Sequence, residues 1–275
     1  MSCAVLIRTA NAYDWRLSFT LKNSGWKLDG RYLKIKGVGI LKLFLSQPIE
    51  GRIKTVTVSR DACGDWWVSF SCDDVPEKAY PHPDTEVVGI DVGISHFCTD
   101  TDGLHVANPK YYRKAQAELR CKQRKVARRK KGSHRRKKAV TELARIHRKV
   151  KRMRLDFLQK TANHYIEKYQ TICVEALKVK NMVKNRHLSK SIADSGWSTF
   201  FELLSYKAVE AGREVIKVNP RNTSQNCSGC GRKVSKSLAT RVHNCPHCSL
   251  SLDRDINAAR NIAAIGAGQA LQALT

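Results

Sequence analysis

Four cysteines in two Cys-x-x-Cys pairs, Cys227/Cys230 and Cys245/Cys248, constrain this chain more than any other feature. A Cys-x-x-Cys turn aims two thiolates at one point, and two such turns complete a tetrahedron around Zn²⁺. The fourteen residues between the pairs are close to the spacing expected of a two-pair zinc site. Gly229 and Gly231 in the first turn and Pro246 in the second suit tight turns. Two disulfides, or four unrelated cysteines, are the competing explanation; two matched pairs are hard to obtain by accident. Four thiolates leave no open position for water, so the spacing predicts a structural ion. His243 and His247 lie nearby and are read as bystanders.

Charge narrows the partners. The 275 residues include 50 Lys+Arg against 24 Asp+Glu, a net +26. Such an excess destabilises a compact chain by self-repulsion unless a polyanion offsets it. Nucleic acid is the leading partner and an anionic membrane surface the second. There is no 18-residue apolar run, so no membrane span is expected. The first residues, MSCAVLIRTANAYDWR, show no basic region followed by a long apolar one, hence no secretory signal. Ten cysteines without a signal fit a reducing cytoplasm, where Cys3, Cys63, Cys72, Cys98, Cys121 and Cys173 are free thiols.

Residues 1–80 read as β-structure. Trp66, Val68, Phe70 and Cys72 alternate with Trp67, Ser69 and Ser71, the period of a half-buried strand. Arg52 to Arg60 is β-branched and basic, and Asp61 to Asp65 supplies a hairpin turn between the two. Tyr32 to Leu45 reads as a strand pair broken at Gly37 and Gly39. Short strands with such turns predict a small, partial β-barrel. Its Lys and Arg serve equally well as scaffold or as phosphate contacts.

Pro76 to Asp84 holds three prolines and reads as a linker. A second domain follows. Glu86 to Asp91 is an apolar strand ending in a carboxylate, and the chain turns back at Asp100 to Gly103. Three antiparallel strands are expected, with Asp91 near the middle of the first. An acid in an apolar strand is costly unless paired or metal-bound.

Lys110 to Arg154 carries 21 Lys+Arg and two acids, Glu118 and Glu142. Ala139, Leu143, Ile146, Val150, Met153 and Phe157 step by 4, 3, 4, 3, 4, a coiled-coil seam, and Ala115, Leu119, Lys122 and Val126 step similarly before it. Gly132-Ser133 breaks the run, with Ser133 a suitable N-cap. The pattern predicts an antiparallel helical hairpin over 110–168 with strongly cationic outer faces. The candidate phosphate contacts are Arg124, Lys125, Arg128, Arg129, Lys130, Lys131, Arg135, Arg136, Lys137, Lys138, Arg148, Lys149 and Arg152. A merely solvated charged face is the bland alternative.

Thr171 to Glu175 is a second apolar strand ending in an acid. Trp197, Phe200, Phe201, Leu204, Ala208 and Ala211 mark one helix face, ended at Gly212, and Glu214 to Val218 is a further strand. Ala258, Ala259, Ile262 and Ala263 place small residues on a closing helix opened by Asp255. Asp91, Glu175 and Asp255 thus sit on strand, strand and helix. Separated acids like these can hold two divalent ions about 4 Å apart for phosphodiester cleavage. Carboxylates suit Mg²⁺, with Mn²⁺ the alternative.

The segments VVGIDVGISHF around Asp91, ICVEAL around Glu175, NTSQNCSGCG, and CPHCSLSLDRDINAARNIAA resemble the TnpB (OrfB) proteins of bacterial insertion sequences, which are also similar to type V CRISPR effector nucleases. The resemblance runs from about residue 30 to 265. It implies an α/β fold: an RNase H-like (RuvC) nuclease core over 85–226 with the basic hairpin, a zinc ribbon at 227–248 inserted before the last carboxylate, a last helix and tail at 249–275, and a wedge-like partial barrel at 1–80. It maps the catalytic, magnesium-binding acids to Asp91, Glu175 and Asp255, choosing Asp255 over Asp253 because it directly precedes Ile-Asn-Ala-Ala. It further implies a guide RNA from the element's own locus whose base pairing selects a DNA target. Family members usually begin with about a hundred further residues, so an N-terminally truncated copy, or a start codon assigned too late, is expected. Three activities stay open: an RNA-guided, metal-dependent DNA endonuclease, a non-cleaving nucleic-acid-binding remnant or repressor-like binder, and a strand-transfer enzyme.

Overall fold

The computed structural model describes residues 2–7, 18–22, 24–83, 85–237 and 240–273, and the side chains from 18 to 269 within those ranges. The chain forms two compact units, Met1–Lys78 with Ala117–Lys149 and Ala79–Gln116 with Val150–Thr275.

Seven antiparallel strands build the first unit: β1 (Ser2–Ile7), β2 (Ser18–Leu21), β3 (Trp26–Asp29), β4 (Tyr32–Ile35), β5 (Gly39–Phe44), β6 (Arg52–Arg60) and β7 (Trp66–Asp73). Their spatial order is β2-β6-β7-β1-β5-β4-β3. Alternation puts Val56, Val58, Val68 and Phe70 inside with Leu33, Ile35 and Leu43, while the residues between them face outward. The expected hairpin turn forms because the Asp61 carboxylate accepts the amides of Cys63 (2.9 Å) and Asp65 (3.0 Å), with Gly64 at φ 87°. The Cys3 side chain lies outside those described.

Helices α1 (Tyr111–Ala127) and α2 (His134–Lys168) make the basic hairpin. Ser133 caps α2 as expected, its hydroxyl accepting the Arg136 amide at 3.2 Å. Leu119, Ala139 and Val150 are buried along the seam, but Met153 is 40 % exposed, against expectation. A straight helix drifts about 20° per heptad; past two heptads the expected Phe157 is only partly buried and the next residue, Leu158, is the one in the core.

The second unit is a five-stranded mixed sheet of β8 (Thr85–Val92), β9 (His96–Asp100), β10 (His105–Ala107), β11 (Tyr169–Glu175) and β12 (Glu214–Val218), in the order β10-β9-β8-β11-β12. β8, β11 and β12 run parallel, and β9 pairs antiparallel with both β8 and β10. Between β11 and β12 lie α3 (Val179–Met182), α4 (Ser189–Ser195) and α5 (Trp197–Glu210). A small hairpin of β13 (Val242–Asn244) and β14 (Ser251–Asp253) leads into α6 (Arg254–Ala273). Val88, Ile90, Ile172 and Val174 face a core shared with Leu158, Tyr165, Phe200 and Leu204. The opposite face carries α6. A Cβ on Gly89 would meet the Ala259 carbonyl and lie 2.6 Å from the Ala263 nitrogen, so the small-residue face of α6 sits directly on β8. Among the described residues no helix is long and apolar enough to cross a membrane.

Candidate functional site

Asp91 is the penultimate residue of β8, not near its middle as expected, because β8 starts at Thr85 and stops at Val92. Glu175 ends β11. The last pair of these parallel strands is Ile90 with Val174, so Asp91 and Glu175 follow in step at one end of the sheet. Side chains alternate along a strand. Asp91 therefore shares the face of Gly89, and Glu175 that of Cys173, which lies against Gly266 of α6. Both acids point to the α6 side.

Asp255 is the second residue of α6. Asp253 is committed elsewhere: its Oδ1 accepts the amides of Asp255 (2.8 Å) and Ile256 (3.2 Å), the bonds of a helix N-cap. Asp255 pairs with Arg254, whose Nη2 stands 3.0 Å from its Oδ1.

Electrostatically the acids form one group. Burial first, then the charges of Glu175 and Asp255, push the Asp91 carboxyl well above the usual carboxylate range, with Arg254 opposing. Neither protein hydrogen bond nor ion pair holds Asp91 among the described residues. Burial also raises Glu175, opposed by a hydrogen bond from the Thr223 hydroxyl at 2.5 Å. The arrangement can hold cations through carboxylate oxygens, the donor set of hard divalent ions.

The four cysteines gather as their spacing predicts. Their sulfurs all lie within 4.8 Å of one another. Cys227 Sγ is 3.6 Å from Cys248 Sγ, and Cys230 Sγ 3.6 Å from Cys245 Sγ. A disulfide needs a separation of about 2.05 Å, whereas a tetrahedron with Zn–S bonds of about 2.3 Å has edges of about 3.8 Å. The cluster is therefore a metal-type arrangement of free thiols. Burial raises the Cys245 thiol, but hydrogen bonds from the His247 and Cys248 amides and from the Cys248 and Cys227 thiols lower it, while the same sulfur contacts raise Cys248. Four thiolates this close repel one another unless a cation joins them. His243 and His247 are outside the cluster: His243 is fully buried against Lys236, and His247 meets Arg232 at 3.2 Å.

The thirteen cationic candidates divide. Lys125 pairs with Glu142 at 2.9 Å, beside Lys122. Arg136 donates to the carbonyls of Val126 (2.8 Å) and Arg129 (3.2 Å), closing the end of α1. Arg148 pairs with Asp61 (2.6 Å) and Asp65 (2.5 Å) of the β6–β7 turn. These three are half-buried and structurally engaged. Arg124, Arg128, Arg129, Lys130, Lys131, Arg135, Lys137, Lys138, Lys149 and Arg152 are exposed. Arg124, Arg128 and Arg129 line an open groove of about 880 Å³ along α1, with Arg120.

Three polar residues at the site were not foreseen: Thr223, Asn257 and Asn261. Asn257 is fully buried on a helix face of alanines. Its Nδ2 donates to the Asn226 carbonyl (2.8 Å) and its Oδ1 accepts the Ser228 amide (2.9 Å). Asn261 donates to the carbonyls of Thr223 and Asn226, both at 2.8 Å. The signal was present in the sequence: two asparagines one turn apart on an otherwise apolar stripe.

Comparison with known proteins agrees with these features. The family model OrfB_IS605, described as "Probable transposase", matches residues 69–186, which include Asp91 and Glu175. The model "Cas12f1-like, TNB domain" matches residues 197–262, which include the four cysteines and Asp255. A protein of Streptomyces pristinaespiralis named "Putative RNA-guided DNA endonuclease" is 38% identical over 94% of this chain and 61% of its own length. "Putative RNA-guided DNA endonuclease InsQ" of Escherichia coli K12 is 31% identical over 88% of this chain and 64% of its own. The chain thus spans a little over six-tenths of the length of these relatives. The solved structure of the mini-RNA-guided endonuclease CRISPR-Cas phi3 shares the fold, with a TM-score of 0.50 at 12% identity over 86% of this chain and 57% of that one. With its strand-end acids and its cysteine cluster inside the matched segments, this mixed α/β chain is similar over those segments to the OrfB_IS605 and Cas12f1-like TNB families and to the TnpB (OrfB) relatives named above.

Proposed function

We propose that this chain is a metal-dependent DNA endonuclease of the TnpB type. Asp91, Glu175 and Asp255 hold two Mg²⁺ or Mn²⁺ ions on an RNase H-like (RuvC) sheet, and a guide RNA selects the DNA target. Asp91 carries this reading: a half-buried carboxylate with no protein partner among the described residues, pressed by two other acids. Such a group is costly unless a cation joins it. The donor set fits, since oxygen ligands from few side chains suit Mg²⁺.

When bound, two such ions activate a water and neutralise the leaving oxygen of a phosphodiester. The chain's own residues do the positioning. Asp91 and Glu175 present carboxylates from neighbouring strand ends, and Asp255 brings a third from the first turn of α6. The exposed cationic side chains of α1 and α2 contact phosphates, the sequence-independent part of nucleic-acid affinity. Cys227, Cys230, Cys245 and Cys248 hold a structural Zn²⁺ that fixes the loop entering α6. The guide RNA is proposed from the names of the relatives, both called RNA-guided DNA endonucleases.

The test is cleavage of guide-matched duplex DNA by protein co-expressed with RNA from its own locus. Cutting is expected with Mg²⁺, lost with EDTA and lost in Asp91→Ala while nucleic-acid binding persists. Cutting that survives Asp91→Ala contradicts the assignment of the acids. A joined DNA product in place of free ends supports strand transfer instead.

A further inference from the structure

We propose that Thr223 is a positioning residue for Glu175, holding the carboxylate in the orientation in which it binds the divalent cation. This rests on the metal-binding role given above to the three acids. Thr223 lies in the loop between β12 and the first cysteine pair and is 3 % exposed. Its hydroxyl lies 2.5 Å from Glu175 Oε1 and 3.1 Å from the Pro220 carbonyl. A hydroxyl carries one proton and can satisfy one of these acceptors at a time. When Glu175 is a carboxylate, the charge-assisted bond is the stronger, and the hydroxyl donates to it. The second carboxylate oxygen then remains for a cation.

The hydroxyl can act this way because its backbone is fixed independently of Glu175. Asn222 before it is left-handed, at φ 65°, and its carbonyl accepts the amides of Gln225 and Asn226 at 2.9 Å each. The Thr223 carbonyl is held by Asn261, which also holds the Asn226 carbonyl together with Asn257. Both asparagines stand on α6, the helix that carries Asp255. One loop is thus tied to the strand acid through a hydroxyl and to the helix bearing the third acid through two amides. Outer-sphere partners of metal ligands typically change metal affinity by about 10–100-fold when removed.

The test is Mn²⁺ titration of the purified chain, with free Mn²⁺ read by electron paramagnetic resonance and Asp91→Ala as background. Thr223→Val keeps shape and removes the donor; Thr223→Ser keeps the donor. Thr223→Val is expected to weaken the Asp91-dependent site about tenfold, with Thr223→Ser within about twofold of wild type and circular dichroism unchanged in both. Thr223→Ala repeats the comparison should the valine variant misfold. Wild-type affinity in the hydroxyl-free variants, or equal loss in Thr223→Ser, overturns the positioning role. Wild-type Mn²⁺ binding that Asp91→Ala leaves intact instead overturns the acid site itself, so the two failures are distinguishable.

Discussion

Asp91 and Glu175 occupy the next step beyond Ile90 and Val174, the last paired residues of two adjacent parallel strands, and both face α6. Two neighbouring strand ends held by ladder hydrogen bonds cannot move apart, so the two acids are kept close despite their repulsion. The protein bears that cost in its folded state, and its size is open to measurement.

Asp91→Asn is expected to stabilise the protein in the absence of divalent ions. The folded-state carboxyl titrates above its unfolded value, which is about 4. Between the two values the folded chain holds a proton that the unfolded chain has released. Stability therefore falls as pH rises through that window, and the deficit is complete above the folded value. Asparagine removes the deficit and raises the apparent melting temperature by about 2–4 °C per kcal/mol recovered. Thermal scans at pH 5 and pH 8 without Mg²⁺ should show the gap between variant and wild type widening with pH. A gap that is constant with pH contradicts the prediction.

Arg148 and Arg128 should behave oppositely although both belong to the basic hairpin. Arg148 is half-buried and paired with Asp61 and Asp65, so Arg148→Ala should cost about 1–3 kcal/mol of stability. It should leave the salt dependence of DNA binding unchanged. Arg128→Ala should leave stability within about 0.5 kcal/mol and lower the slope of log K against log salt by about 1. Urea unfolding and binding isotherms at several salt concentrations separate the two.

Removing zinc should loosen the acid site from a distance. Asn226, whose carbonyl takes both Asn257 and Asn261, directly precedes Cys227. Cys227→Ser with Cys230→Ser should abolish stoichiometric zinc in elemental analysis. Hydrogen exchange should then rise over residues 223–230 while the β8 and β11 amides stay protected. Purified wild-type protein without zinc overturns the ion assignment; unchanged exchange overturns the coupling.

Gly89→Ala should be severe. Its Cβ would overlap the Ala259 carbonyl and lie 2.6 Å from the Ala263 nitrogen, both backbone atoms of α6. A cost of about 1–3 kcal/mol is expected for such overpacking, with Mn²⁺ affinity falling as α6 is displaced. Ser95→Ala, at an exposed position of the same unit, is the control that should change neither.

What the sequence disclosed follows from how local each feature is. Strand β6 runs from Arg52 to Arg60 and β12 from Glu214 to Val218, both as read, because alternation and turn residues set them within a few positions. The cysteine cluster was equally legible, since two short turns decide its geometry. The choice of Asp255 over Asp253 came from resemblance alone; in the fold Asp253 caps α6 and Asp255 pairs with Arg254. Arg148, by contrast, looks like any other basic residue until a turn 83 residues away places Asp65 beside it. Thr223 was hidden for the same reason, its partner Glu175 lying 48 positions upstream. Met153 was misplaced because a strict heptad ignores the drift of a straight helix.

The most direct test of the central claim is anomalous diffraction at the manganese edge from crystals grown with Mn²⁺. The account predicts two peaks about 4 Å apart among Asp91, Glu175 and Asp255, with a separate zinc-edge peak at the four cysteines. Manganese density absent from the acids, in crystals whose zinc-edge peak is present, would contradict it.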